Sequence, residues 1–241
     1  MVDLTGRQIQ ILRAVVEKYM ETAEPVGSET IDKKFNFGIS PATIRNEMVY
    51  LAKHGYLRKP HSSAGRIPTA MAIKFYVREL MREKDLSVAD EVSVKERMWQ
   101  NRDQVDDLFT EAARVIAERA NCIGFIMSYD TEHAYHSGYA HVLAFPEFEN
   151  IDVARTVLSL IEEERAMKEI FDFARGDEPV HIILGEDLGN QYLESVGFVF
   201  TDIAVGPGQY HMSVIGPTRI DYSYVIPMMK YFRELLHEMM G

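Results

Sequence analysis

ISPATIRNEMVYLAKHGYL, residues 39–57, is the stretch on which the fold turns. Ser40 is an N-cap residue, Pro41 follows at the first helical position where its missing N–H costs nothing, and Gly55 closes the segment. Ile44, Met48 and Leu51 recur at helical spacing and give the helix one apolar face. Thr43, Arg45, Asn46 and Tyr50 have no part in that face. They decorate a helix that is anchored without them.

Upstream, TGRQ forms a capping box from Thr5 to Gln8, and Ile9, Leu12, Val16 and Tyr19 follow at helical spacing. Glu24, Pro25, Val26 and Gly27 break that helix. Ser28 caps a second one through SETIDKKF, which Asn36 and Gly38 end. Downstream, Tyr56 and Leu57 open a strand, RKPHSSAGR makes a basic tip, and Ile67 starts the return strand. Thr69 then caps a fourth helix, TAMAIKFYVRELMREK, with Ile73, Val77, Leu80 and Met81 on one side. Three helices followed by a hairpin predict a winged helix-turn-helix domain over residues 1–83.

In such domains the second helix of the motif enters the major groove with its N-terminal residues toward the base edges. Arg45 suits guanine O6 and N7, Asn46 suits adenine, and the Thr43 methyl suits thymine. The exposed N–H groups of the helix start around Ser40, Pro41 and Ala42, proline itself having none, suit a phosphate at the positive end of the helix dipole. In the hairpin, Lys59, His61, Ser62, Ser63 and Arg66 can clamp the flanking backbone. With Ser28 and Tyr50 these residues make up the expected DNA-binding set. A capped helix carrying Arg and Asn is ordinary on any surface, and a charged loop is usually only solvated. Their order, spacing and shared positive charge turn the balance to DNA.

Charge supports this once it is divided. The chain has 241 residues and a formal net charge of -11. Residues 1–82 hold 13 Lys and Arg against 8 Asp and Glu, while residues 83–241 hold 13 against 29. A basic module joined to an acidic body is the pattern of a nucleic-acid binder whose average charge hides it. The single cysteine excludes an internal disulfide framework and fits a reduced compartment. The N-terminal segment lacks the apolar core of a signal peptide, and no apolar run is long enough to span a bilayer. A soluble, cytoplasmic protein without a membrane partner is expected.

Residues 84–104 are charge-rich without a core stripe and read as a linker entering a long helix. From Val105, residues Leu108, Phe109, Ala112 and Ile116 mark a buried helical face. Beyond it CIGFIMS and YAHVLAF read as strands, and VARTVLSLIEEERAMKEIFDFA as a helix. VHIILGE, FVFTDIAV and YHMSVIG read as further strands, and YSYVIPMMKYFRELLHEMM as a closing helix with Pro227 in its first turn or at a kink. The expectation is an α+β body over 105–241, an antiparallel sheet of about five strands flanked by helices.

Other clusters are weaker. His133, His136 and His141 suggest metal ligation, but a loop-to-strand context gives no common face, and surface histidines are the preferred reading. Arg219 could hold an anion, although a turn with Arg219 paired to an acidic neighbour needs no ligand. Cys122 reads as a small buried residue. No nucleophile, base and orienting group converge, so neither an enzyme nor a cofactor is expected.

AEPVGSETI followed by SPATIRNEMVYLAKHGYLRKPHSSAGRIPT resembles the N-terminal region of the HrcA family, heat-inducible transcription repressors of bacteria. The similarity runs from Leu4 to about Val77. VIGPTRIDYSYVIPMMKYF and VHIILGE resemble that family's C-terminal segments. The resemblance implies a winged helix, a GAF-like domain and a dimerising insertion. It also implies repression of chaperone genes at an inverted-repeat operator, with the chaperonin as modulator. The motif positions are Ser40 to Asn46, and the wing positions Pro60 to Arg66. This chain is shorter than most members, with the missing length in the middle, so the insertion is expected to be reduced or absent. Dimerisation would then use another surface, with the helices at 70–83 and 93–119 as candidates. The rival expectation keeps the winged helix and gives the body a small-molecule metabolite to sense.

Overall fold

The computed structural model describes residues 3–35, 38–60, 65–131, 133–174, 176 and 178–240. The chain divides into two compact units, Met1–Arg82 and Glu83–Gly241.

The first unit opens with α1 (Gly6–Thr22), whose capping box joins Thr5 and Gln8 in both directions. It ends at Ala23, a left-handed residue with φ 59°. Helices α2 (Ser28–Phe35) and α3 (Pro41–Lys53) follow. Strands β1 (Leu57–Arg58) and β2 (Ile67–Pro68) form an antiparallel pair. Helix α4 (Ala70–Phe75) carries on through one wide turn to Leu80, where the Met81 N–H reaches back five residues to the Tyr76 carbonyl. The fourth helix therefore stops short of Arg82, Glu83 and Lys84, which the sequence reading placed at its end. Ile11, Leu12 and Val15 of α1, Ile31 of α2, and Ile44, Met48 and Leu51 of α3 share one buried core. Leu12 and Val16 of the expected α1 face are buried as the period predicts, but Ile9 and Tyr19 are only half-buried and Ile11 and Val15 carry the core beside them.

The second unit is built on a five-stranded antiparallel sheet in the order β4-β3-β7-β6-β5. Its strands are β3 (Ile123–Ser128), β4 (Ala134–Ser137), β5 (His181–Leu184), β6 (Val196–Val205) and β7 (Gly208–Pro217). Alternation of side chains across the pleat gives the sheet two buried faces. One face, with Phe125, Phe198, Phe200 and Ile215, packs on α8 (Ile151–Glu162) and α9 (Glu164–Phe173). The other receives α6 (Val105–Ala120) and α10 (Tyr222–Met240). Helix α6 approaches β3 so closely that a Cβ on Gly124 would lie 2.2 Å from the Ala113 carbonyl oxygen.

Three expectations need correction. YAHVLAF is not a strand: β4 lies earlier, and Tyr139–Val142 form a short helix, α7. Gly138 at φ 93° turns the chain out of the sheet first. The segment read as one helix from residue 153 is two, because Glu163 (φ -109°, ψ 90°) breaks the ladder between α8 and α9. Residues 84–104 hold α5 (Val88–Gln100), capped by Ser87, and lie inside the second unit. Val94 and Met98 are the buried residues of α5, and ion pairs hold the rest to α6. Arg97 binds Glu111 and Glu118, each at 2.6 Å, and Arg119 binds Asp90. Anchoring by charge leaves little apolar period to read. Pro227 is the sixth residue of α10, past the first turn.

Candidate nucleic-acid interface

Helix α3 starts where the Ser40 hydroxyl accepts the Thr43 N–H at 3.2 Å, with the Thr43 hydroxyl 3.0 Å from the same oxygen. The cap fixes the first turn and leaves the other amino-terminal N–H groups pointing out. Ile44, Met48 and Leu51 are buried below. On the opposite side Ala42, Arg45, Asn46, Val49 and Lys53 are exposed. Their spacing of three and four residues lines them along one stripe. Neither the Arg45 nor the Asn46 side chain has a hydrogen bond or ion pair among the described residues, so their donors are available to an incoming base edge. Val49 is 50% exposed, an unusual apolar position on a polar stripe.

Thr43, Pro41 and Tyr50 are half-buried on the shoulders of the stripe. The Tyr50 ring lies 4.1 Å from that of His54, whose Nδ1 is 2.9 Å from the Tyr50 carbonyl. Glu47 would oppose phosphate if it faced outward. Instead it turns to α1, 2.8 Å from Arg7 Nε and 3.0 Å from the Gln8 amide nitrogen that donates to it. One side chain, Gln8, thus caps α1 and pins α3. Ser28 is buried at the start of α2, so it is removed from the exposed set.

The hairpin is tied to the helices by backbone. Val26 and Arg66 exchange N–H···O bonds of 2.8 and 2.9 Å, making the α1–α2 loop a third partner of the wing. Gly65 permits this, since a Cβ there would sit 2.5 Å from the Val26 carbonyl oxygen. Thr69 closes the base: its hydroxyl donates to the Gly55 carbonyl at 2.6 Å and accepts from Ala72 N–H. Lys59 is exposed and Arg66 half-buried, and burial pushes the Arg66 guanidinium below its ordinary value. His61, Ser62 and Ser63 lie outside the described residues. Val49 and Lys53, outside the expected set, continue the exposed stripe at the same spacing.

The clusters of the second unit resolve differently. His136 Nδ1 is 2.6 Å from the Tyr139 hydroxyl, His141 Nδ1 is 2.9 Å from Asn121, and His133 packs edge-on to Tyr135. Each has a partner of its own. Arg219 forms a two-pronged pair with Glu147 at 2.6 and 3.1 Å, both largely buried, so its charge is already answered. Cys122 is buried, and burial pushes its thiol up to about 12.

A capped helix with an outward stripe of donors, beside a hairpin joined to the same core, defines a winged helix-turn-helix DNA-binding protein. Residues 3–82 match the family described as "Winged helix-turn-helix transcription repressor, HrcA DNA-binding", and residues 68–226 match "HrcA protein C terminal domain". The chain belongs to the HrcA family. It is 26% identical over 336 aligned positions to the heat-inducible transcription repressor HrcA of Symbiobacterium thermophilum, covering 98% of each chain. Against the repressor of the same name from Acetivibrio thermocellus it is 32% identical over 214 positions, 88% of this chain and 56% of that one. The first alignment is longer than the 241 residues available here, so that relative carries internal length this chain lacks. A crystal structure titled as that of a hypothetical protein shares the fold, with TM-score 0.73 and 16% identity over 98% of this chain and 97% of that one. Among the described residues, no helix is long and apolar enough to cross a membrane.

Proposed function

We propose that this protein acts in the cytoplasm as a homodimeric repressor of heat-shock genes, binding an inverted-repeat operator. The observation that carries the reading is the unpartnered stripe of α3, with Arg45 and Asn46 at its centre and Lys53 at its far end. Arg45, Asn46 and the Thr43 methyl read base edges, while Lys53, Lys59 and the N–H groups at Ser40 hold phosphates. Two copies related by a two-fold axis match two half-sites about one helical turn apart. The relatives are named heat-inducible repressors, which supports release on heating. By family resemblance the chaperonin modulates the complex.

Selection of bound duplexes from a random pool, run with the full chain at low and high temperature, tests this. A two-fold-symmetric site enriched at low temperature and lost at high temperature is expected. Enrichment of no sequence at either temperature overturns it. Adding purified chaperonin to the operator complex is expected to change operator occupancy.

A second reading is favoured by a cleft of about 710 Å³ at one end of the sheet, with Asp106, His133, Tyr135, Val205, Tyr210 and Met240 in its walls. A mostly apolar cleft with a carboxylate and phenols suits a small metabolite. A thermal-shift panel distinguishes this, because a tight ligand raises the unfolding midpoint.

A further inference from the structure

We propose that the outer face of α5 seats a second copy of this chain, the two helices packing antiparallel across a two-fold axis. This rests on the dimeric reading above and names its surface. Val88, Val92 and Trp99 are 76%, 51% and 52% exposed. They fall four and eleven residues apart and share one line along the helix, with Lys95 filling the gap between Val92 and Trp99. The side turned to α6 is a different one, formed by Asp90, Val94, Arg97 and Met98. Holding α5 in place therefore does not use the apolar line, and a run of large apolar side chains in water marks an interface.

The line is complementary to itself in one orientation. Antiparallel pairing about a point midway between Val92 and Lys95 sets Val88 against the second copy's Trp99, and Val92 against the second copy's Lys95 stem. Each Lys95 ammonium then lies beside Glu91 and Glu96 of the other helix. Neither Lys95 nor Glu96 has an ion pair within its own chain among the described residues. A parallel pairing would instead place Lys95 on Lys95, where like charges repel. The antiparallel form is also an isologous contact, which an inverted repeat requires. One pair of helices about 20 Å long falls below the roughly 1,200 Å² of a stable interface. The pairing is therefore concentration-dependent in free protein and reinforced when two half-sites are bound.

Trp99 is the one tryptophan of the chain, so its emission reports this surface directly. The experiment follows emission and sedimentation of the full chain across concentration, with and without operator duplex. Emission is expected to shift to shorter wavelength as dimer forms. Val92→Glu is expected to stay monomeric, with unshifted emission and an unchanged circular dichroism melt, while still binding a single half-site. Lys95→Glu is expected to weaken the dimer at least tenfold, and Lys95→Glu with Glu96→Lys to restore it in part. A dimer whose emission does not shift, and which Val92→Glu leaves intact, overturns this surface but not the dimeric reading. Emission already blue-shifted in dilute monomer shows the line covered within one chain and overturns it equally. A chain monomeric at every concentration, on and off operator, overturns both.

Discussion

The backbone N–H of Lys84 donates at 2.8 Å to the Ser223 carbonyl, the acceptor that Pro227 leaves without its helical donor. Proline in a helix interior removes the bond to the residue four before it. Here a neighbouring segment supplies the missing N–H, and the same segment adds Lys84 to Asp221 at 2.9 Å and Glu83 to Lys230 at 2.6 Å. The start of the second unit is thus fastened to the start of its last helix. Pro227→Ala restores a competing N–H. The Lys84 amide is then expected to exchange hydrogen faster, measured by mass spectrometry, and unchanged protection would contradict the argument.

Arg45→Ala is expected to cost about 1–3 kcal/mol at the cognate site and to relax preference at the base it reads. Lys53→Ala should weaken cognate and random duplexes alike and lower the salt slope by about one. Fluorescence anisotropy at several salt concentrations separates the two. Equal cognate-to-random ratios for Arg45→Ala and wild type would remove Arg45 as a reader.

Gly65→Ala places a methyl against the Val26 carbonyl and must open the wing bridge or shift the loop. A loss of more than about 1 kcal/mol in denaturant unfolding is expected, as for other backbone clashes. Unchanged stability would show that the loop gives way freely.

Asp202 carries a pH prediction. Burial alone would raise its carboxyl, but the buried His211, 2.7 Å away, and the Tyr129 hydroxyl outweigh this and hold it below its ordinary value. A carboxyl depressed in the folded state contributes stability that is present above its unfolded pKa and lost as pH falls through the folded one. The second unit should therefore lose stability below about pH 4, and Asp202→Asn should flatten that loss while lowering stability at pH 7. Parallel acid-unfolding curves for the two proteins would refute the assignment.

Much of the first unit was legible because its signals are local. Caps at Thr5, Ser40 and Thr69 and the period of Ile44, Met48 and Leu51 all act within one turn or two. The expected set takes in Tyr50, on the half-buried shoulder of α3, and passes over its exposed neighbour Val49 and Lys53 at the end of the same stripe. Other failures come from contacts between distant residues. Helix α5 is held to α6 by Arg97 on its own side and by Arg119 on the other, so its inward side mixes charges with Val94 and Met98 and shows no clean apolar stripe. Glu147, the partner of Arg219, stands 72 residues away, and nothing in either neighbourhood announces the other. Ser28 looked available because a hydroxyl before a helix usually is, yet tertiary packing covers it.

The bridge between Val26 and Arg66 gives the protein a fixed ruler. Main-chain bonds, rather than adjustable side chains, tie the wing to the loop between α1 and α2. Substitutions along α3 can therefore change which letters are preferred without altering the length of duplex each copy spans, so operators of diverging sequence should keep a common footprint.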